Sequence, residues 1–275
     1  MVLSYVHRDE KGTTVVELLV ILLIVGVLTT AMARFFVVHN RLSNVQEQVG
    51  FMQKNVRSAM EIIIRDVMNA GSGVPLGQGV EPLTPGDGLS GGPDSLVIMA
   101  NFDSRYTTLY HDEGPDNSQH VMDATGFYVG GLMYIEDFNG GEFHTITAIN
   151  LDTPKEDEII TAQPLSRTYY MDDTIVSPIE RVSYSLNLNE PDHPKLMRTV
   201  AGAGSKILAG NIEDLQFSFI LADGSETPQP GDMSSVRMVR VTMVARTETK
   251  DRDFSGDGYR RRTLESVVKP RNLDL

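Results

Sequence analysis

Residues 12–28 read GTTVVELLVILLIVGVL: a glycine, a short polar step, one acid, and then no polar side chain until Thr29. The apolar run extends to Val38 with only Thr29, Thr30 and Arg34 against it, long enough to cross a bilayer as a helix. The acid, Glu17, lies inside that span. A carboxylate at such depth costs about +2.5 to 3.5 kcal/mol on insertion scales, so it is a functional candidate by default. Ahead of Gly12 stands a charged stretch, MVLSYVHRDEKG, with no apolar core of its own. A secretory signal peptide has its small-residue cleavage site after the apolar segment. Here the small residue precedes it, so a cut at Gly12 would leave the apolar segment on the mature chain as a permanent anchor. An ordinary signal anchor carrying a stray acid is the alternative, since an acid near the end of a span can snorkel toward the interface. Loop charge does not fix orientation: Arg8 and Lys11 precede the span, and Arg34 and Arg41 follow it.

Past the span the pattern changes. Leu42, Val45, Val49, Met52, Val56, Met60, Ile63 and Val67 recur every three or four residues, with Asn44, Glu47, Gln48, Lys54, Asn55 and Arg57 on the other face. No proline interrupts residues 13–70, which predicts one helix, half in lipid (13–38) and half presenting an apolar stripe (39–70). The stripe is expected to pack on the chain's own core; a dimeric coiled coil is the competing use. Residues 71–94 are dense in Gly and Pro, which argues against regular structure there and reads as a long loop or an interdomain linker. Beyond it, β-branched and aromatic residues between turn signals predict strands near 95–102, 126–136, 143–151, 158–163, 180–188, 195–200, 212–221, 236–246 and 259–268. A long helix followed by antiparallel strands predicts an α+β domain over 95–275 with the helix laid across a sheet.

Gly12, Glu17 five residues later and the apolar spine at 18–28 together resemble the class III leader of type IV prepilins and type II secretion pseudopilins. The resemblance implies cleavage of residues 1–12 by a prepilin peptidase between Gly12 and Thr13, N-methylation of Thr13, and pairing of Glu17 with the N-terminal ammonium of a neighbouring subunit. The family usually carries Phe or another apolar residue where this chain has Thr13. The C-terminal segments LAGNIEDLQFSFILADG (208–224), VRMVRVTMVARTETKD (236–251) and GYRRRTLESVVKPRNL (258–273) resemble the PilW family of minor pilins. The closing Arg271-Asn272 fits that family better than the related type II secretion J pseudopilins. This implies a non-catalytic structural subunit anchored once in the inner membrane, its C-terminal domain extracytoplasmic and then at the fibre or tip of a pilus. Its implied partners are other minor pilins, the major pilin and a tip adhesin, and in such proteins the loop after the long helix contacts neighbouring subunits. A type II secretion pseudopilin is the second reading, and a membrane-anchored binding or enzymatic domain the third.

The net charge of −13 argues against nucleic acid as a direct partner, because phosphate binding needs clustered Lys and Arg. Cysteine is absent, which excludes disulfides and thiolate metal sites. Ser90 in GLSGG satisfies Gly-x-Ser-x-Gly but sits in the Gly/Pro stretch rather than at a strand-to-helix elbow, so it is not read as a nucleophile. The GAGSK run at 202–206 lacks phosphate-loop spacing and reads as a turn. His39, His111, His120, His144 and His193 show no local ligand spacing. In DRDFSGDGYRRR (251–262), Asp251, Asp253 and Ser255 occupy positions one, three and five of a calcium loop, with Gly256 at six. Arg262 stands where the bidentate Glu would be, so Asp257 would have to help complete the shell. The alternative is an acidic hairpin loop turning at Asp257-Gly258 and neutralised by Arg260, Arg261 and Arg262.

Overall fold

The computed structural model describes residues 14–75, 79–88, 91–151 and 156–273. One helix, α1 (Val15–Met68), is followed by strands β1 (Leu83–Gly88), β2 (Gly92–Ala100), β3 (Thr107–Thr108), β4 (Ser118–Val121), β5 (Leu132–Asp137), β6 (Gly140–Asn150) and β7 (Asp157–Thr161). Then come β8 (Ile175–Asn187), β9 (Lys195–Val200), β10 (Gly204–Gly210), β11 (Ile212–Leu221), β12 (Glu226–Thr227), β13 (Val236–Arg246) and β14 (Arg261–Val268). The architecture is α+β, a long apolar N-terminal helix packed on antiparallel sheets. Two compact units divide the chain, one up to Gly50 and one from Phe51 onward.

The second unit holds the sheets. The larger runs β1-β2-β8-β5-β6-β7-β4, with β3 and β9 also on β8 and β10 on β9; the smaller runs β12-β11-β13-β14. β8 is the hub, and its 13 residues divide their partners: 175–179 pair with β5, 180–184 with β2 and 182–187 with β9. Pro178 falls between the residues paired to β3 and those paired to β2, where a strand lacking one N–H loses least. In the smaller sheet the alternation is clean: Phe217, Phe219, Val239, Val241, Met243 and Ala245 are buried, and Gln216, Ser218, Arg240 and Thr242 are not.

α1 joins this core with its last turns. Met52, Val56, Ala59, Met60, Ile63 and Val67 are buried, so the stripe serves the chain's own domain from Met52 on, while Leu42 stays exposed. A second core lies under β4 to β7, built from Leu109, Val121, Met133, Ile135, Ile146 and Ile159.

The Gly/Pro stretch departs from expectation, because it contains all of β1. Among the described residues β1 is an edge strand that pairs with β2 alone, and an edge tolerates Pro85. Its glycines are there for proximity: a Cβ on Gly88 would lie 2.2 Å from the Gly92 carbonyl oxygen. The run at 202–206, expected as a turn, is a turn only through 203; from Gly204 it enters β10, which pairs β9 as a hairpin. β3, β4 and β12 are too short to leave a periodic signal.

Candidate functional site

The site that the sequence proposes begins at the first described residue. Thr14 is the N-cap of α1: its carbonyl accepts the first helical bond from Leu18 N–H at 3.1 Å, and its hydroxyl oxygen accepts Glu17 N–H at 3.3 Å. Glu17 Oε2 in return accepts Thr14 N–H at 2.9 Å and the Thr14 hydroxyl at 3.3 Å. This is a reciprocal capping box, and the motif Thr-x-x-Glu was legible in residues 14–17. Glu17 therefore has a local task within its own chain that the apolar-run argument missed. Both bonds fall on one oxygen, and a carboxylate offers about four acceptor sites, so the cap does not exhaust it. Gly12 and Thr13, the expected cleavage and methylation positions, lie outside the described residues, as does Ser90.

From Thr14 to Asn40 every residue is exposed. Among the described residues α1 is the one helix long and apolar enough to cross a membrane. The two threonines of the apolar run are satisfied within the helix, as a lipid surrounding would require: Thr29 Oγ1 donates to Val25 O at 2.7 Å and Thr30 Oγ1 to Gly26 O at 2.8 Å.

The other end of α1 is locked. Asp66, buried beneath the sheet, accepts the Tyr184 hydroxyl at 2.5 Å and Arg198 through Nε at 2.9 Å and Nη2 at 2.8 Å. Burial, and then the Asp66 carboxylate, push the Tyr184 phenol far above its ordinary pKa, so it remains a donor. The open carbonyls of the helix end are met by the C-terminal segment, with Arg271 N–H donating to Met68 O at 3.1 Å and Asn272 Nδ2 to Ala70 O at 3.3 Å. Leu273 is buried beside Gly71. Arg271-Asn272 thus has a mechanical reason to end the last strand.

In the 251–257 loop the carboxylates of Asp251 and Asp257 go to arginine. Asp251 Oδ2 accepts from Arg260 at 2.8 and 3.1 Å, and its Oδ1 accepts Asp253 N–H at 3.1 Å. Arg261 bridges Asp257 and Glu213, and its hydrogen bonds hold the Asp257 carboxyl well below the usual range. Ser255 is exposed. The geometry is that of the neutralised hairpin; a calcium ion would have to displace two guanidinium groups from the same oxygens.

The histidine spacing misled. Among the described residues, the group of three ligand-bearing side chains whose donor atoms lie within 4.8 Å of one another is His111, Glu113 and His120. The chain folds back between them: Leu109 bridges Val121, and Tyr110 N–H donates to His120 O at 2.8 Å. His39 stacks on Phe35 in α1, and His144 lies 3.2 Å from Glu142.

Comparison of the chain with family models, with curated proteins and with solved structures gave no match in any of the three.

Proposed function

We propose that the chain is a minor pilin of the PilW type, a non-catalytic subunit that primes or inserts into an extracytoplasmic type IV pilus. The observation that carries this reading is the division of labour along α1. Residues 14–40 expose an apolar surface headed by a single carboxylate, while Met52, Val56, Ala59, Met60, Ile63 and Val67 are buried in a β-rich domain. A stem of that kind has two suitable surroundings, lipid before assembly and other stems after it. In the first, Glu17 is satisfied within its own chain by Thr14. In the second, its remaining acceptor sites take the ammonium of a neighbouring Thr13, which offsets a charge otherwise buried without a partner. Cleavage between Gly12 and Thr13 leaves Thr14 N–H an amide, so the capping box survives processing. The inner membrane holds the stem, a prepilin peptidase trims it, and other minor pilins, the major pilin and a tip adhesin are the partners.

Mass spectrometry of the N-terminus tests this directly. A mature chain beginning at a methylated Thr13, and loss of processing in Gly12→Ala, support the proposal. An intact Met1, or a cut beyond the apolar run, overturns it in favour of a membrane-anchored binding or enzymatic domain. A deletion strain that keeps its pili and loses protein export would instead assign the chain to type II secretion.

A further inference from the structure

The cluster of His111, Glu113 and His120 lies far along the chain from the stem, and nothing in the proposed assembly uses it. Glu113 is the unusual member, a carboxylate whose side chain is only 6% exposed, placed where two imidazoles converge. Its backbone is fixed by reciprocal bonds with Tyr169, each N–H donating to the other's carbonyl at 2.9 Å. Its Oε1 is aimed by His120 N–H at 2.7 Å. Around that one oxygen sit His120 Nδ1 at 3.0 Å and His111 Nδ1 at 3.5 Å, with the two rings 4.7 Å apart.

We propose that His111, Glu113 and His120 form a binding site for a divalent transition-metal ion, with zinc the ion whose preferences the three donors fit. Zinc bound to imidazole nitrogen and carboxylate oxygen at about 2.0–2.2 Å in tetrahedral array needs its donors roughly 3.4 Å apart. The two nitrogen-to-oxygen distances, 3.0 and 3.5 Å, lie on either side of that spacing. Two nitrogens and one oxygen also exclude the hard cations by chemistry, since calcium and magnesium are held by oxygen alone. Three protein donors leave one coordination position for water, and the exposed sides of both histidines give the ion its entry path. The main-chain N–H of His120 supplies the support that holds a ligating carboxylate in place. Asp112 beside the cluster is itself tied down, accepting Met171 N–H at 3.0 Å, so the loop that carries His111 is anchored on both sides of Glu113. The ion would cross-link this loop to β4.

The test uses the full chain in detergent, purified without a histidine tag and stripped with a chelator, with Zn2+ alone titrated by calorimetry. The expected result is one equivalent bound with micromolar affinity or better, undiminished by excess Ca2+ and accompanied by a rise in Tm. His111→Gln and His120→Gln should each weaken binding by at least about ten-fold, whereas His193→Gln should leave it unchanged. Co2+ gives a second readout, a visible absorption band present in the parent chain and lost in His111→Gln. Should Glu113→Gln fail to fold, the histidine variants decide, because both rings sit partly in solvent. Absence of saturable binding, or an equivalent of zinc retained by both histidine variants, overturns the site. The histidines would then serve only as charge partners of a buried carboxylate.

Discussion

Ile24 and Ile63 are the same side chain in the same helix, yet the first is 50% exposed and the second not at all. Val27 and Val56 repeat the contrast, at 62% and 3%. Backbone hydrogen bonding is common to both halves of α1, so helix formation does not distinguish them; what differs is who supplies the apolar surroundings. From Met52 onward the chain's own sheets do, and burial there is folding energy. From Val15 to Val38 nothing among the described residues does, so the same apolar area is left exposed, as a surface that lipid or a protein partner could cover.

The sharpest way to break that contrast is at the lock. Asp66→Ala should destabilise the domain by about 3–5 kcal/mol, because it leaves the buried Tyr184 hydroxyl and the half-buried Arg198 without the carboxylate that both bond. Asp66→Asn, which keeps one acceptor, should cost less. Thermal unfolding of the full chain in detergent, followed by tyrosine near-ultraviolet circular dichroism, measures both. Next in size is the isoleucine pair. Ile63→Ala should cost about 2–5 kcal/mol by leaving a cavity, and Ile24→Ala should leave the domain's unfolding unchanged, since there is no packed neighbour to lose. Equal effects at the two positions would refute the division of the helix.

A smaller effect separates the two tasks given to Glu17. Thr14→Ala removes the hydroxyl half of the cap and keeps the carboxylate, which still accepts the N–H of residue 14, at a cost of about 0.5–2 kcal/mol confined to the first turn. Faster amide hydrogen exchange at residues 15–18 would report it. Glu17→Ala removes both cap and charge. If capping is the whole role of Glu17, the two variants will assemble alike; the proposed function requires that Thr14→Ala assembles and Glu17→Ala does not.

What the sequence disclosed, and what it hid, follows from the range over which each signal acts. The helix was legible because fifty-four residues without proline leave little choice, and β9, β11 and β13 were legible to the residue because alternation and turn residues agree there. β1 was not. Pro85, Gly86 and Gly88 read as a loop by local propensity, and only an edge position and close approach to β2 make a strand of them. Asp66 falls among helix residues that look amphipathic, and nothing nearby announces a tyrosine and an arginine more than a hundred residues later. The capping box is a different case: its four residues are contiguous, but Glu17 also heads the apolar run, and the two readings compete for one carboxylate. The acids of 251–257 could be set against the arginines of 260–262 from sequence, but which oxygen takes which guanidinium is a matter of geometry.

The least effect is expected from acid, and it should be felt in one half of the molecule only. Asp137, closing the β5–β6 hairpin, is gripped by Arg167 through two bonds of 2.6 and 2.7 Å, and Arg167 also donates to Gly140 O and lies 4.2 Å from the centre of the Tyr169 ring. The arginine's hydrogen bonds lower the Asp137 pKa from 3.8 to about 2. A carboxyl depressed on folding stabilises the native state fully above its unfolded value, and that contribution disappears as pH falls through the folded value. The domain should therefore lose stability between pH 3.8 and about 2. Asp137→Asn should start lower at neutral pH and fall less steeply across that window. Asp257, held down by Arg261, loses its pair on the same descent, so Asp137→Asn combined with Asp257→Asn should flatten the profile further. The stem draws on neither pair, and its far-ultraviolet helical signal in micelles should persist after the tyrosine signal of the domain has gone. Simultaneous loss of the two signals would mean that the stem's helix depends on the domain, and the two halves of α1 would no longer be separable.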